Sequence, residues 1–135
     1  MRVLLLVDHG SRHPEANQNL AEAAEQIRGR VGAPPVYYAH MELAPPSIED
    51  AFASCQRDGA TQVSVFPWFL SHGRHVREDI PNLCANAAER YGLAHVVLPP
   101  FGQDSRLIEI TLDAFDHGAS PRPLASSADS FTTPE

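Results

Sequence analysis

The chain has 135 residues, 43% of them hydrophobic, and a formal net charge of −7 at pH 7. Its length and apolar content suit one domain with a hydrophobic core and are too small for two. The acidic balance argues against a partner that is a nucleic acid, because a phosphate backbone requires a basic face.

Strand and helix patterns alternate four times along the chain. Runs of β-favouring apolar residues predict strands at 3–7, 36 to about 41, 62–66 and 95–98. Apolar residues at helical spacing predict helices at 14 to about 31, about 47–58, about 77–91 and 104 to about 116. This order predicts an α/β fold, in which a single domain has a four-stranded parallel sheet with helices on both faces, like a flavodoxin or Rossmann lobe.

The first run, at 3–7, is interpreted as a buried strand rather than a signal peptide, since it ends at Asp8 without a small-residue cleavage site. No apolar run approaches the roughly 18 residues of a membrane span. We therefore expect a cytoplasmic protein with no membrane partner. The last residues, 118–135, are rich in proline, serine and threonine, which predicts a disordered tail after a domain at 1–117.

The first three predicted helices each have an apolar stripe that predicts a buried face. Cys55 and Cys84 lie on two of these stripes and have no second cysteine nearby, which predicts buried thiols rather than metal ligands. Ser47, with Asp50 three residues later, predicts a capping box. The predicted buried faces comprise Leu20, Ala23, Ala24, Ile27 and Val31; Ile48, Ala51, Phe52 and Cys55; and Ile80, Leu83, Cys84, Ala87 and Tyr91.

Three residues with metal-binding chemistry follow predicted strands at equal intervals. His9, Glu42 and His75 are 33 positions apart at each step. Because the carboxyl ends of parallel strands meet at one edge of the sheet, we expect the three side chains to share a cleft. Two imidazoles and a carboxylate suit a late first-row divalent metal ion, and they also suit proton transfer.

The segments around these residues suggest how a ligand would be held. Trp68 and Phe69, followed by Gly73, describe a loop with an aromatic floor and a flexible backbone, as a planar apolar ligand requires. Arg12 and Arg74 supply local positive charge for substrate carboxylates, whereas Arg77 is equally compatible with a solvated face.

Each candidate also has a purely structural interpretation. His9 could cap the first helix or bond a loop carbonyl, Glu42 could be a solvated loop carboxylate, and His75 could simply begin a helix. Strand alternation places His40 on the opposite face from Met41, either near the edge of the sheet or buried. Of the other histidines, His72 could contact a ligand or have no ligand. We expect surface positions for His13, His95 and His117.

Three segments together resemble one known family. They are residues 8–12 (DHGSR), residues 42–48 (ELAPPSI) and residues 67–81 (PWFLSHGRHVREDIP). They resemble the signature segments of the small sirohydrochlorin chelatases, the class II chelatases that insert cobalt, iron or nickel into a reduced tetrapyrrole. The resemblance covers about residues 3–115, and the third segment is its most specific part.

The resemblance implies roles for the candidate residues. His9 and His75 correspond to the two metal-binding, catalytic histidines, and Glu42 to a carboxylate that some relatives place beside them. The divalent metal ion, Co²⁺, Fe²⁺ or Ni²⁺, would be a substrate, with cobalt favoured over ferrous iron, and no nucleotide is expected because no phosphate-binding glycine loop is present. The residues expected to bind the tetrapyrrole are Ser11, Arg12, Trp68, Phe69, Gly73 and Arg74.

Longer relatives contain two similar lobes around the macrocycle, whereas this sequence contains no internal repeat. The resemblance therefore implies a homodimer whose two-fold axis recreates the cleft.

Three other functional classes share some of these features. A histidine phosphatase or mutase also has a histidine after its first strand, but its usual order is Arg-His-Gly, whereas Asp8 precedes His9 here. A metal carrier without catalytic activity could use the same His/His/Glu trio. A response-regulator receiver needs a strand-end lysine, and this chain contains no lysine.

Overall fold

The computed structural model describes residues 1–71 and 73–118, and its description omits the side chains of His75 and Val76. Four strands alternate with four α-helices. The strands are β1 (Arg2–Asp8), β2 (Val36–His40), β3 (Gln62–Pro67) and β4 (Ala94–Val97), and the helices are α1 (Pro14–Arg28), α2 (Ile48–Arg57), α3 (Ile80–Tyr91) and α4 (Arg106–His117). A π-helical turn, His75–Asp79, leads directly into α3, and a short 3-10 helix, Phe101–Gln103, follows β4.

The four strands form one sheet in the order β2-β1-β3-β4, and every neighbouring pair is parallel. The predicted four-stranded parallel sheet is therefore confirmed. In this order β1 is central, with Asp8 opposite His40 on one side and Val7 opposite Pro67 on the other. The segments that follow β1, β2 and β3 consequently begin at the same edge of the sheet.

Helices cover both faces of the sheet, as predicted. On one face, α2 and α3 pack over the larger core, which is centred on the fully buried Phe52 and Leu5. On the other face, α1 packs through Leu20 and Ala24 against Leu6 and Val36. The sequence alternation in β1 explains this division, since Leu5 and Leu6 must point to opposite faces.

Two details of the predicted buried faces were wrong. Helix α1 ends at Arg28, and Val31 is fully exposed in the following turn, because Gly29 and the positive φ of 79° at Gly32 redirect the chain towards β2. The guanidinium of Arg28 donates to the carbonyl of Val36 and fixes this turn. Leu83 is 40% exposed because it lines a surface groove with Met41 instead of entering the core.

The described chain forms two compact units, one of residues Met1–Asp104 and one that begins at Ser105. Within the described part of the second unit, α4 is the helix, and Thr111 donates from its hydroxyl to the carbonyl of Leu107. The predicted tail falls almost entirely on residues 119–135, outside the described part of the chain. In the residues that the structure describes, no helix is both long and apolar enough to cross a bilayer.

The two cysteines provide a test of the larger core. Burial raises the pKa of each thiol, Cys55 and Cys84, from 9.0 to about 12. Because only the thiolate reacts readily, we expect a thiol reagent at pH 8 to label neither cysteine of the folded protein and both cysteines in urea. Labelling of either thiol without unfolding would contradict the described packing.

The same shifts predict how stability depends on pH. The folded state holds the thiol protons more tightly than the unfolded state, so this contribution to stability is complete below about pH 9. The free energy of unfolding should therefore fall as the pH rises from 9 towards 12. Burial and Asp58 also raise the pKa of Tyr37, and this shift adds to the same trend. Denaturant titrations across this range would measure it.

The predicted capping box at the start of α2 is confirmed. The Ser47 hydroxyl accepts from the Asp50 N–H at 3.0 Å, and the Asp50 carboxylate accepts from the Ser47 N–H at 3.0 Å. We expect Ser47→Ala to lower the free energy of unfolding by about 0.5–2 kcal/mol, measured by urea denaturation. Ser54→Ala, inside the same helix, is the control and should change it far less.

Candidate functional site

Backbone pairing brings His9 and Glu42 together at the carboxyl edge of the sheet. Two backbone hydrogen bonds join the segments just beyond β1 and β2, since the Met41 N–H donates to the Asp8 carbonyl at 2.8 Å and the Glu42 N–H to the His9 carbonyl at 3.0 Å. The side chains meet as well, with His9 Nε2 3.1 Å from Glu42 Oε2. Two of the three predicted metal-binding residues therefore form a pair.

The surroundings of the His9 ring define the chemistry of its two nitrogens. Nδ1 lies 3.2 Å from the carbonyl oxygen of Gly10. A carbonyl oxygen and a carboxylate oxygen both accept, so each ring nitrogen of His9 faces an acceptor, and Nε2 is the nitrogen directed at Glu42. With side-chain exposures of 42% for His9 and 51% for Glu42, the pair is open to solvent and can take up a proton or a cation.

Gly10 allows this close approach of the two loops. Its φ of 94° lies in the left-handed region, and a Cβ at this position would lie 1.8 Å from the carbonyl oxygen of Glu42. Any side chain at residue 10 would therefore force the segment after β1 away from the segment after β2. The Gly in the Asp-His-Gly motif is required by the packing of these two loops.

A second histidine–carboxylate pair lies behind the first. His40 Nδ1 is 2.6 Å from Asp8 Oδ1, and the His40 side chain is 1% exposed. Its ring also makes an edge contact with Tyr38, two residues earlier on the same face of β2. Of the two placements expected for His40, the structure selects the buried one, and Asp8 is committed to this internal bond.

Asn17 of α1 holds the loop that follows His9, a role the sequence analysis did not identify. Its Oδ1 accepts from the Ser11 N–H at 2.9 Å, and its Nδ2 donates to the Ser11 carbonyl at 2.7 Å. Nothing in the apolar pattern of α1 marks this residue, because Asn17 lies outside the buried stripe. Ser11 itself, predicted to bind the tetrapyrrole, accepts from the His13 N–H through its hydroxyl.

A cleft of about 450 Å³ opens beside His9. Trp68 and Phe69 line it, as predicted, but Phe69 also packs against the larger core. Trp68 is half-buried because Phe101 stacks on it, with ring centres 4.8 Å apart and planes 3° from parallel. Phe101 was missed by the sequence analysis, since its contact with Trp68 joins two loops that are distant in the chain.

Glu42 also borders a second groove on the α2 and α3 face. This groove has a volume of about 350 Å³ and includes Met41, Asp79 and Leu83. Glu42 therefore lines this groove while its carboxylate contacts the imidazole of His9.

The remaining predicted residues are placed less completely. His72 and the side chain of His75 lie outside the described part of the chain, although the His75 backbone begins the π-helical turn. Arg12 and Gly73 are exposed. Arg74 is exposed too, with its Nε 3.6 Å from a Glu78 carboxylate oxygen. Among the side chains that the structure describes, no three of His, Cys, Asp or Glu gather as a metal site.

Comparison with known proteins identifies similar chains. The CbiX family profile matches residues 3–117. A chloroplastic sirohydrochlorin ferrochelatase from Arabidopsis thaliana is 43% identical over 115 residues, which cover 84% of this chain and 51% of the plant protein. A sirohydrochlorin cobaltochelatase from Methanococcus maripaludis is 31% identical, and the match covers 84% of this chain and 96% of that protein.

A solved structure has the same fold. It is the sirohydrochlorin chelatase SirB from Bacillus subtilis subspecies spizizenii in complex with cobalt, at a TM-score of 0.75 and 33% identity, covering 85% of this chain and 50% of that one. The chain thus spans about half the length of the plant and Bacillus proteins. The family match over nearly all of the first 117 residues, together with this fold, leads to one conclusion: the chain belongs to the CbiX family.

Proposed function

We propose that this protein is a sirohydrochlorin chelatase, which inserts a divalent metal ion into sirohydrochlorin. The observation that carries the proposal is the half-exposed pair of His9 and Glu42, with Nε2 and Oε2 3.1 Å apart beside an open cleft. Relatives named as sirohydrochlorin ferrochelatase and cobaltochelatase support the substrate class. Cobalt is the favoured metal, followed by ferrous iron, and nickel is the alternative.

The distance within the pair suits two ligands of one ion. Imidazole nitrogen and carboxylate oxygen bind zinc at about 2.0–2.2 Å, and at such lengths ligand atoms 3.1 Å apart subtend roughly 95° at the metal. This angle is compatible with first-row divalent ions. We therefore propose that His9 Nε2 and Glu42 Oε2 hold the incoming metal ion.

The reaction also requires a proton acceptor. When M²⁺ enters the free-base macrocycle, it forms bonds to the ring nitrogens and two pyrrole N–H protons must leave. Once the ion has moved from the pair to the macrocycle, His9 Nε2 and the Glu42 carboxylate can accept these protons and pass them to water. Because both side chains are half-exposed, the protons can reach solvent directly.

We propose that the cleft beside His9 receives one edge of the tetrapyrrole. Trp68 and Phe69 offer apolar surface to the ring, and Arg12 and Arg74 would bind its peripheral carboxylates. His75 would complete the metal site as its third ligand. We further propose that a homodimer provides the opposite wall of the cleft. We also propose that the protein is cytoplasmic and needs no nucleotide.

The first test is anaerobic metal insertion. Purified protein is mixed with sirohydrochlorin and Co²⁺, Fe²⁺ or Ni²⁺, and the visible absorption bands are followed. We expect catalysed insertion, fastest with Co²⁺, and a loss of about 10²- to 10⁴-fold in His9→Ala because the metal ligand and proton acceptor is removed. Glu42→Gln should also be impaired, since the amide oxygen is a weaker ligand and a poor base.

Glu25→Gln is the matched control, because Glu25 forms an exposed ion pair with Arg28 on α1, away from the pair at the sheet edge. It should insert metal at the wild-type rate. Normal turnover in both His9→Ala and Glu42→Gln would overturn the assignment of the pair. Metal and tetrapyrrole binding by wild type without any acceleration of insertion would indicate a carrier instead.

Gly10→Ala tests whether the close approach of the two loops matters for activity. The new Cβ would clash with the Glu42 carbonyl, so His9 and Glu42 should separate and insertion should fall strongly. Gly59→Ala is the control, because Gly59 has nearly the same φ, 92°, but nothing within 4 Å of the added Cβ. Both variants should lose about 1–3 kcal/mol of stability to backbone strain, measured by denaturation. Equal activity in the two variants would contradict the role given to Gly10.

A further inference from the structure

We propose that Leu43 and Leu70 are substrate-contact residues, which bind the faces of the tetrapyrrole macrocycle on two sides of the His9–Glu42 pair. The inference rests on the proposed function in one respect, namely that a tetrapyrrole lies over this pair. It adds two aliphatic side chains to the aromatic residues of the cleft.

The two leucines lie on the loops that flank the end of β1. Leu43 follows β2 and Leu70 follows β3, and β1 lies between these two strands in the sheet. Neighbouring strands are about 4.8 Å apart, so the two loops begin roughly 10 Å from each other. A ring of four pyrroles is wide enough to cover His9 at the end of β1 and to reach both loops.

Backbone contacts hold Leu70 in solvent beside the cleft. The residue is 73% exposed and lines the cleft next to His9. The loop after β4 fixes its backbone, because the Gly102 N–H donates to the Phe69 carbonyl at 2.7 Å. The packing is so close that a Cβ on Gly102 would lie 1.8 Å from the Leu70 carbonyl oxygen. The exposed position of Leu70 is therefore a fixed feature of the fold.

Leu43 has a strained conformation directly after Glu42. Its φ of 73° lies in the left-handed region, which leucine adopts only at an energetic cost. The Glu42 N–H donates to the His9 carbonyl, and the Glu42 carbonyl packs against Gly10. The chain therefore enters residue 43 in a fixed direction.

The residues after Leu43 are poorly suited to make the turn instead. Ala44 precedes Pro45, and Pro45 precedes Pro46, so both are biased towards extended conformations. The Pro46 carbonyl accepts from the His40 N–H at 2.8 Å, which requires the loop to return to the end of β2. The left-handed turn consequently falls on Leu43.

Strain and exposure together indicate that the Leu43 side chain has a function. An exposed leucine alone indicates little, because folded proteins expose much apolar surface. At this position, however, glycine would remove the strain, and the leucine is 51% exposed and gains little from burial within its own chain. Strained residues of this kind cluster at ligand sites. A flat ring over the pair would cover both leucines and give each an apolar contact.

Trp68 allows binding of the macrocycle to be measured without metal. It is the single tryptophan of the chain and lines the same cleft, so sirohydrochlorin should quench its fluorescence. We expect Leu43→Ala and Leu70→Ala to weaken binding about 5- to 30-fold, the effect of losing part of one leucine contact. Val31→Ala removes a fully exposed apolar side chain in the turn before β2 and should bind like wild type. Normal binding by both leucine variants would overturn the proposal.

Leu43→Gly separates the side chain from the backbone conformation. Glycine adopts the same φ without strain, so Leu43→Gly should unfold at a higher urea concentration than Leu43→Ala. It should bind sirohydrochlorin as weakly as Leu43→Ala, because both lack the side chain. Leu43→Met, which keeps a similar apolar volume, should bind nearly as tightly as wild type. Normal binding by Leu43→Gly, or binding by Leu43→Met as weak as that of Leu43→Ala, would contradict the role of the side chain.

Metal binding distinguishes a ring contact from damage to the His9–Glu42 pair. Co²⁺ alone should bind Leu43→Ala and Leu70→Ala as tightly as wild type, because neither leucine supplies a ligand atom. In the insertion assay, the KM for sirohydrochlorin should rise while kcat changes little. A loss of Co²⁺ affinity equal to the loss of sirohydrochlorin affinity would overturn the proposal.

Sedimentation of the same variants tests whether the leucines contact a second copy of the chain instead. If the oligomeric state changes and sirohydrochlorin binding falls only with it, the proposal is overturned. A wild type that binds sirohydrochlorin through the leucines but inserts no metal would refute the chelatase and leave their role intact. A wild type that does not bind sirohydrochlorin would refute both. Metal insertion by wild type, with unchanged binding in the leucine variants, would refute only the role of the leucines.

Discussion

The arrangement of the candidate site depends on the parallel pairing of β1 with β2 and on the backbone hydrogen bonds just beyond the ends of both strands. The ladder sets Asp8 opposite His40, and after a one-residue change of register the Glu42 N–H donates to the His9 carbonyl and sets Glu42 beside His9. A shift of one residue within the ladder would exchange the faces of the side chains of one strand and separate Asp8 from His40. The loops can come this close only because residue 10 is glycine. Backbone hydrogen bonds therefore position the polar side chains before any ligand is present.

The two histidine–carboxylate pairs differ in distance and in exposure, which indicates a structural role for one and a chemical role for the other. Asp8 and His40 are 2.6 Å apart, and His40 is buried beside Tyr38, whereas His9 and Glu42 are 3.1 Å apart and half-exposed. The inner pair ties the ends of β1 and β2 together, and the outer pair keeps contact with solvent. Asn17 supports the outer pair from α1, so all four side chains depend on one strand edge and one helix.

The sequence predicted most of this because its signals are local. Alternation and helical spacing located the strands and the buried thiols, and Ser47 with Asp50 located the capping box. The positions of His9 and Glu42 after two parallel strands predicted their meeting. Val31 and Leu83 fit the helical spacing equally well, yet a turn at Gly29 and a surface groove exposed them. Asn17 and Phe101 could not be predicted, since their roles depend on contacts with Ser11 and Trp68 that exist only once the chain is folded.

The separation within each pair also explains why only the outer one suits metal transfer. Two ligand atoms that bind one ion at about 2.1 Å and at a right angle are roughly 3.0 Å apart. The 3.1 Å between His9 and Glu42 meets this requirement, and the 2.6 Å between Asp8 and His40 leaves room only for a proton. Exposure of the outer pair lets a hydrated ion enter and a proton replace it. A buried pair would be slow in both directions, so the proposed metal transfer requires a pair at the open edge of the sheet.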